Sequence, residues 1–254
     1  MSLLRGAAFN LYLLALTLTM GLGAFPIRLL RKQELALDYA KLWARCVLWG
    51  LRHIGSIRIE IRGSENLPQG PCLIASQHQS FFDGFIWMNT VPRPAYIIKK
   101  ELTRIPLVGP MLLLSGMIPV DREGGSQALR DLMDATATAQ REGRQVILFP
   151  QGTRTDPGVK APIQNGIVAV ARQIKGPVIP VVTNSGFFWP RSPWRKYSGT
   201  LIIAIGRPLP PTRGRELIST LDEAWEVLCK THQIPHHPVD NSVDIDRKNG
   251  ASSS

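Results

Sequence analysis

Cys72-Leu-Ile-Ala75, Ser76-Gln-His-Gln-Ser-Phe-Phe-Asp83 and Gly84-Phe-Ile-Trp-Met-Asn-Thr-Val91 follow one another along the chain. A short apolar run gives way to a polar turn and then to an apolar segment of helical length, which reads as strand, loop and helix. Comparable apolar runs recur at Ala95–Ile98, Met117–Val120, Val146–Phe149, Val178–Val182 and Leu201–Ile205. Helical stretches separate several of them. One is Ser126–Arg141, with Ser126 as its N-cap and Gly143 just past its end; another runs from about Arg215 to Thr231, with Leu217, Leu221, Trp225 and Leu228 on one face. Ile57–Arg62 (IRIEIR) alternates apolar and charged residues, as a half-buried strand does. The alternation predicts an α/β fold with a mixed, mostly parallel sheet flanked by helices. Pro180 within Val178–Val182 predicts an edge position or a bulge.

Upstream of this domain the chain changes character. No charged residue lies between Arg5 and Arg28, and Ala7–Ile27 reads AAFNLYLLALTLTMGLGAFPI. That length is close to what crosses a hydrocarbon core, although Asn10, Gly21, Gly23 and Pro26 weaken it as a straight span. Arg28, Arg31 and Lys32 follow it, which predicts a membrane-associated protein with the domain that follows on the cytoplasmic face. No A-x-A cleavage site precedes that basic cluster, which argues against a cleaved leader. Gln33–His53 carries leucines and tryptophans beside basic side chains at helical spacing, so it reads as an amphipathic helix at an interface. Three regions result: N-terminal anchor and interfacial helices over 1–55, an α/β domain over 56–238, and a polar, disordered tail over 239–254.

Thirty Lys+Arg against 19 Asp+Glu give a net charge of +11, which favours an anionic partner. The basic residues are scattered rather than gathered on one arm or helix, which disfavours nucleic acid. Cys46, Cys72 and Cys229 stand far apart without a C-x-x-C pair, so neither a disulfide framework nor a zinc site is expected.

Four stretches carry chemistry. In the first, His78 sits on the loop at a strand's end, where open α/β sheets place ligands, and Asp83 falls in the first turn of the next helix. From there the carboxylate can accept an N–H from the imidazole, fix its tautomer and leave the other nitrogen as a base. Phe81 and Phe82 suit an apolar pocket. Gly116-Met-Ile-Pro-Val-Asp-Arg122 and Leu148-Phe-Pro-Gln-Gly-Thr-Arg154 are strands that each deliver a guanidinium to a strand end, where it can bind phosphate bidentately. Gly152 lets main chain approach a ligand closely. The fourth is Val178-Ile-Pro-Val-Val182.

This set, in this order, resembles the glycerolipid acyltransferases, specifically the 1-acylglycerol-3-phosphate (lysophosphatidate) acyltransferases, with their H-x4-D, G-x-I-x-x-D/N-R, F-P-E-G-T-R and V-P-I/V-x blocks. The resemblance implies an enzyme that moves an acyl group from a CoA or acyl-carrier-protein thioester to the sn-2 hydroxyl of lysophosphatidate, giving phosphatidic acid. His78 is then the general base and Asp83 its partner. Arg122, Arg154 and, less directly, Lys100 hold the acceptor's phosphate, and Gly152 and Thr153 belong to the acceptor region. No metal or other cofactor is implied. The partners are lysophosphatidate, the acyl thioester (with acyl-carrier protein as one form of donor) and the bilayer. The chain departs from the pattern at Gln151, where the family usually has Glu, which excludes an acid–base role there and leaves a positioning one. Two alternatives accompany this reading: another acceptor, such as glycerol-3-phosphate or a different lysolipid, or a silent membrane-binding protein of the same fold. The oxyanion donors are expected among backbone N–H groups near His78 or Gly152.

Overall fold

The computed structural model describes residues 2–192, 194–212 and 214–234; the tail expected from Val239 lies outside them. Its strands are Ile57–Arg62 (β1), Cys72–Ser76 (β2), Pro94–Lys99 (β3), Ile118–Val120 (β4), Gln145–Leu148 (β5), Val178–Thr183 (β6) and Gly199–Ile205 (β7). They form one sheet in the order β1-β7-β6-β2-β5-β3-β4. Only β6 and β7 pair antiparallel, so β6, β2, β5, β3 and β4 all end at one edge and β7 and β1 begin there. The expected mixed, mostly parallel α/β sheet is what forms.

The helices are Ser2–Gly23 (α1), Phe25–Leu30 (α2), Gln33–His53 (α3), Asp83–Thr90 (α4), Val108–Leu114 (α5), Gly125–Arg141 (α6), Gly166–Gln173 (α7), Ser185–Phe188 (α8) and Glu216–Thr231 (α9). They cover both faces of the sheet. Cys72 and Ile74 join one core with Leu37, Val47 and Leu51 of α3 and Phe85 of α4. Leu73 and Ala75 join the other, with Leu132 of α6, Val170 of α7 and Trp225 of α9. This explains why β2 reads as an unbroken apolar run: successive side chains face opposite sides, and both sides are buried. Each large side chain sealed this way, such as Leu73, Ile74 or Ile147, contributes roughly 1.5–3 kcal/mol over leaving it exposed.

Two local expectations change. Pro180 is not at an edge, because β6 lies between β7 and β2. It is tolerated because the β6–β7 ladder covers only Val181–Thr183; just past it the Pro180 carbonyl still accepts the Gly206 N–H (2.8 Å), and only the one bond that its missing N–H would have donated is lost. Ser126 is not the cap of α6; that helix starts at Gly125, with Gly124 before it and no side-chain cap. Gly143 does close it, with a φ of 72° that favours glycine. Gly116 has a similar cause, for it has a φ of 81° and a Cβ there would lie 1.7 Å from the guanidinium of Arg144. That buried side chain donates to the carbonyls of Pro94 (2.6 Å) and Ser115 (2.8 Å).

The helix Leu3–Gly23 is long and apolar enough to cross a membrane, and the chain breaks after it at Ala24, with Pro26 in the first turn of α2. It runs antiparallel along α3: Tyr12 donates to the Cys46 carbonyl (2.8 Å), Trp43 to the Thr17 hydroxyl (3.3 Å) and Tyr39 to the Met20 carbonyl (2.8 Å). Phe9 of α1 is fully buried in the same core as the sheet. The outward face of α1 is a row of exposed leucines: Leu4, Leu11, Leu14, Leu18 and Leu22.

Candidate active site

His78 follows the carboxyl end of β2, and Asp83 opens α4. The imidazole Nδ1 lies 3.0 Å from Asp83 Oδ2. The same carboxylate oxygen accepts the backbone N–H groups of Gln79 (2.8 Å) and Ser80 (2.9 Å). A carboxylate fixed by two main-chain donors cannot swing away, so it acts as a rigid acceptor for the imidazole. Asp83 is 2% exposed at its side chain and His78 22%, so the pair is dry at the back and open at the front. Phe149 stacks on the imidazole with centroids 4.3 Å apart, which sets the plane of the ring.

The main chain of His78 is held as firmly. Its N–H donates to Gln151 Oε1 (2.9 Å), and its carbonyl accepts from the backbone N–H (2.8 Å) and hydroxyl (3.2 Å) of Thr155. The departure at Gln151 thereby has a structural reading: its amide oxygen braces the histidine, a task a carboxylate oxygen performs equally. Ser80 is not a nucleophile in this arrangement. Its buried hydroxyl donates to the Trp189 carbonyl (2.7 Å) and accepts the Phe82 N–H (3.2 Å). Behind the pair lies Tyr96, whose phenol is pushed well above its ordinary range by burial, with the Asp83 charge adding to the shift.

The cationic residues sit at neighbouring strand ends. Gly152 takes a φ of 74° in the turn after β5, closed by its N–H to the Phe149 carbonyl (3.0 Å). Thr153 is exposed and Arg154 half-buried; the Arg191 guanidinium donates to the Arg154 carbonyl. Arg122 is exposed after β4. Lys100, after β3, lies 3.1 Å from Asp121 Oδ2, so it ties the ends of β3 and β4 together. The backbone N–H groups of His78, Gln79, Ser80 and Gly152 are all already donated. Of the donors anticipated near His78 or Gly152, those of Thr153 and Arg154 have no partner among the described residues.

Thr155, Phe149, Trp189 and Tyr96 are the parts that motif reading did not assign to the site. Phe149 is the first residue of the F-P-Q-G-T-R stretch and Thr155 follows its last. For Trp189 and Tyr96 the sequence holds no signal, because only the folded chain brings them behind the H-x4-D turn.

A model of the acyltransferase family matches residues 58–184. A 1-acyl-sn-glycerol-3-phosphate acyltransferase of Pseudomonas aeruginosa is 34% identical over 187 residues, covering 72% of this chain and 73% of its own length. The human 1-acyl-sn-glycerol-3-phosphate acyltransferase beta is 31% identical over 162 residues, 63% of this chain and 58% of its own length. In structure, the chain superimposes on the crystal structure of the 1-acyl-sn-glycerophosphate acyltransferase of Thermotoga maritima with a TM-score of 0.74. The match covers 92% of this chain and 98% of that one at 21% identity, a likeness of fold.

Proposed function

The chain belongs to the acyltransferase family, and on that premise we propose that it transfers an acyl group from a thioester to the 2-hydroxyl of a 1-acylglycerol-3-phosphate. The observation that carries this reading is the His78–Asp83 contact of 3.0 Å. With Nδ1–H donated to the carboxylate, Nε2 is the basic nitrogen. It removes the hydroxyl proton as the oxygen attacks the thioester carbonyl. The imidazolium so formed is stabilised by Asp83, and collapse of the tetrahedral adduct expels the thiolate, which takes that proton back. Arg122 and Arg154 hold the acceptor's phosphate. The N–H groups of Thr153 and Arg154 serve the oxyanion. The names of the relatives support the phosphate-bearing lysolipid as acceptor.

The lysolipid comes from a bilayer, and α1 supplies the contact. Its leucine row faces outward, while its inner face is bonded along α3, which itself belongs to the sheet's core. A helix tied down over its whole length cannot cross alone, so it lies within one leaflet, on the cytoplasmic side by the sign of Arg28, Arg31 and Lys32. The test is an assay of the purified full chain with lysophosphatidate, glycerol-3-phosphate and other lysolipids. Saturable turnover of lysophosphatidate is expected. A preference for glycerol-3-phosphate, or no turnover with any acceptor, would refute the assignment.

A further inference from the structure

We propose that Tyr96 is a positioning residue of the site: its phenol O–H and the Trp87 indole N–H donate to one buried water, which in turn donates to the second oxygen of Asp83. The catalytic consequence rests on the transferase reading above. Three buried polar atoms carry the argument. Asp83 Oδ2 takes the bonds from His78, Gln79 and Ser80. Oδ1 of the same carboxylate is sealed from solvent and has no hydrogen-bond partner among the described residues, and the same holds for Trp87 Nε1 and Tyr96 Oη. The three residues are 1%, 0% and 4% exposed. Folds seldom leave a buried polar group unpaired, and an anionic oxygen least of all, because its lost hydration is then uncompensated.

The fold gathers these atoms under one helix. Asp83 and Trp87 stand one turn apart on α4, so their side chains leave the same face of it. Beneath α4, Ile74, Ile147 and Tyr96 are paired in register across β2, β5 and β3, and all three join Trp87 in one core. The Tyr96 phenol rises from that row to the helix. It lies against the main chain of Trp87 and Met88, and burial, with the Asp83 charge adding to it, raises its pKa. Its approach to that main chain is too poorly aligned to make a hydrogen bond. The Tyr96 ring also lies 6.3 Å from Phe149, which stacks on the His78 imidazole. Tyr96 therefore backs both members of the pair.

The count of donors and acceptors fits a single water. An ionised Oδ1 only accepts, an indole N–H only donates, and a phenol can do either. A buried water makes about three hydrogen bonds, to groups with no other partner. Accepting from Nε1–H and Oη–H and donating to Oδ1, it satisfies all three at once. The high phenol pKa keeps that O–H protonated, and so a donor, at neutral pH. The consequence reaches the base. With both oxygens held, the carboxylate plane is fixed, and so is the line along which it accepts the imidazole N–H. Without the phenol, Oδ1 is left poorly satisfied, and the carboxylate turns until its bond to the imidazole changes.

The experiment compares the full wild-type chain with Tyr96→Phe, which keeps the ring and removes only the hydroxyl. It reads kcat and both KM values, thermal melting, and the downfield proton resonance of the imidazole N–H bonded to the carboxylate, identified by its loss in His78→Ala. Tyr96→Phe should lower kcat roughly 10-fold with both KM values within about twofold. It should melt a few degrees lower and shift the resonance. In an Asp83→Ala background the same substitution should leave melting equal or higher, because both ends of the link are then gone. Higher melting in Tyr96→Phe alone, with kcat unchanged, would overturn the proposal, since deleting a truly unpaired hydroxyl relieves a cost. Lower melting with kcat and resonance unchanged would overturn it too, leaving the hydroxyl a structural role only. So would a rise in KM with kcat unchanged, which would put the phenol against a substrate. A shifted resonance and the expected melting cycle, in a chain that turns over no acceptor, would uphold the link and sink the transferase reading. Turnover of lysophosphatidate untouched by Tyr96→Phe would do the reverse.

Discussion

The turn after β2 and the turns after β4 and β5 serve one edge of the sheet, yet they are built in opposite ways. In the first, the main chain and side chains of His78, Ser80 and Asp83 are each held by named partners, most of them buried. In the others, Arg122 and Thr153 stand exposed, Arg154 is half-buried, and Lys100 is spent on Asp121. The difference suits the two tasks proposed for them, a base and a phosphate clamp. A base must be within hydrogen-bond reach before the substrate arrives, since misplacement costs rate directly. A phosphate clamp gains from side chains that close on their ligand, since charge and long reach tolerate varied approach.

The sharpest way to break the comparison is at its rigid pole. His78→Ala should lower kcat by roughly 10²–10⁴-fold with folding intact, read by turnover together with thermal unfolding. Asp83→Asn should lose nearly as much. Its amide oxygen can accept the same three donors, but the negative charge that would stabilise the imidazolium is gone, and the NH₂ replaces a buried Oδ1 that has no partner among the described residues. Activity within a few fold of wild type for either variant would remove the base from the mechanism. At the adaptable pole, Arg154→Ala should raise the KM for the acceptor about 10- to 100-fold through loss of a charge-assisted contact, with kcat less changed. A pure kcat effect there would show that the arginine acts on the transition state instead, and the contrast between the poles would fail.

Gln151 lies where the poles meet, which makes it the sharpening test. Gln151→Glu should keep kcat within several fold, since a carboxylate oxygen accepts the His78 N–H as well as the amide oxygen does. Gln151→Leu should cost about 1–3 kcal/mol of stability, because a buried N–H loses its acceptor. Equal damage from both would mean that the residue touches the acceptor rather than the histidine.

What the sequence disclosed, and what it hid, follows the same division. The H-x4-D turn was legible because its chemistry is local: five residues between strand and helix suffice to fold the carboxylate back on the imidazole. The sheet was legible because β2 is buried on both faces and so forbids polar residues. Pro180 misled because proline's usual exclusion from inner strands assumes full-length ladders, and the β6–β7 ladder stops short of it. The bracing by Gln151 and Thr155 was hidden for a different reason. Their contacts to His78 span more than 70 positions, and no local period or spacing encodes them.

The smallest expected effect tests how far the rigid pole extends. Lys196 is fully buried, its ammonium 4.8 Å over the Trp189 ring and 5.8 Å over Phe9 of α1. Trp189 in turn accepts the Ser80 hydroxyl, so Lys196 stands two contacts from the H-x4-D turn. Burial lowers its pKa to about 8, below the ordinary lysine value near 10.4. The native state therefore holds this proton less tightly than the unfolded chain does. Below pH 8 both states carry it, and the fold bears the cost of a desolvated ammonium, offset in part by Asn10 Oδ1 (3.5 Å) and the two ring faces. Between about 8 and 10.4 the unfolded chain alone keeps the proton, so stability should rise with pH across that window. Lys196→Met fills similar volume without charge. It should flatten the rise, leave melting at pH 7 equal or higher, and change kcat by less than about tenfold, a packing effect rather than loss of a reacting group. A kcat loss as deep as that of His78→Ala, with melting unchanged, would instead extend the rigid pole from the turn after β2 through Trp189 to α1.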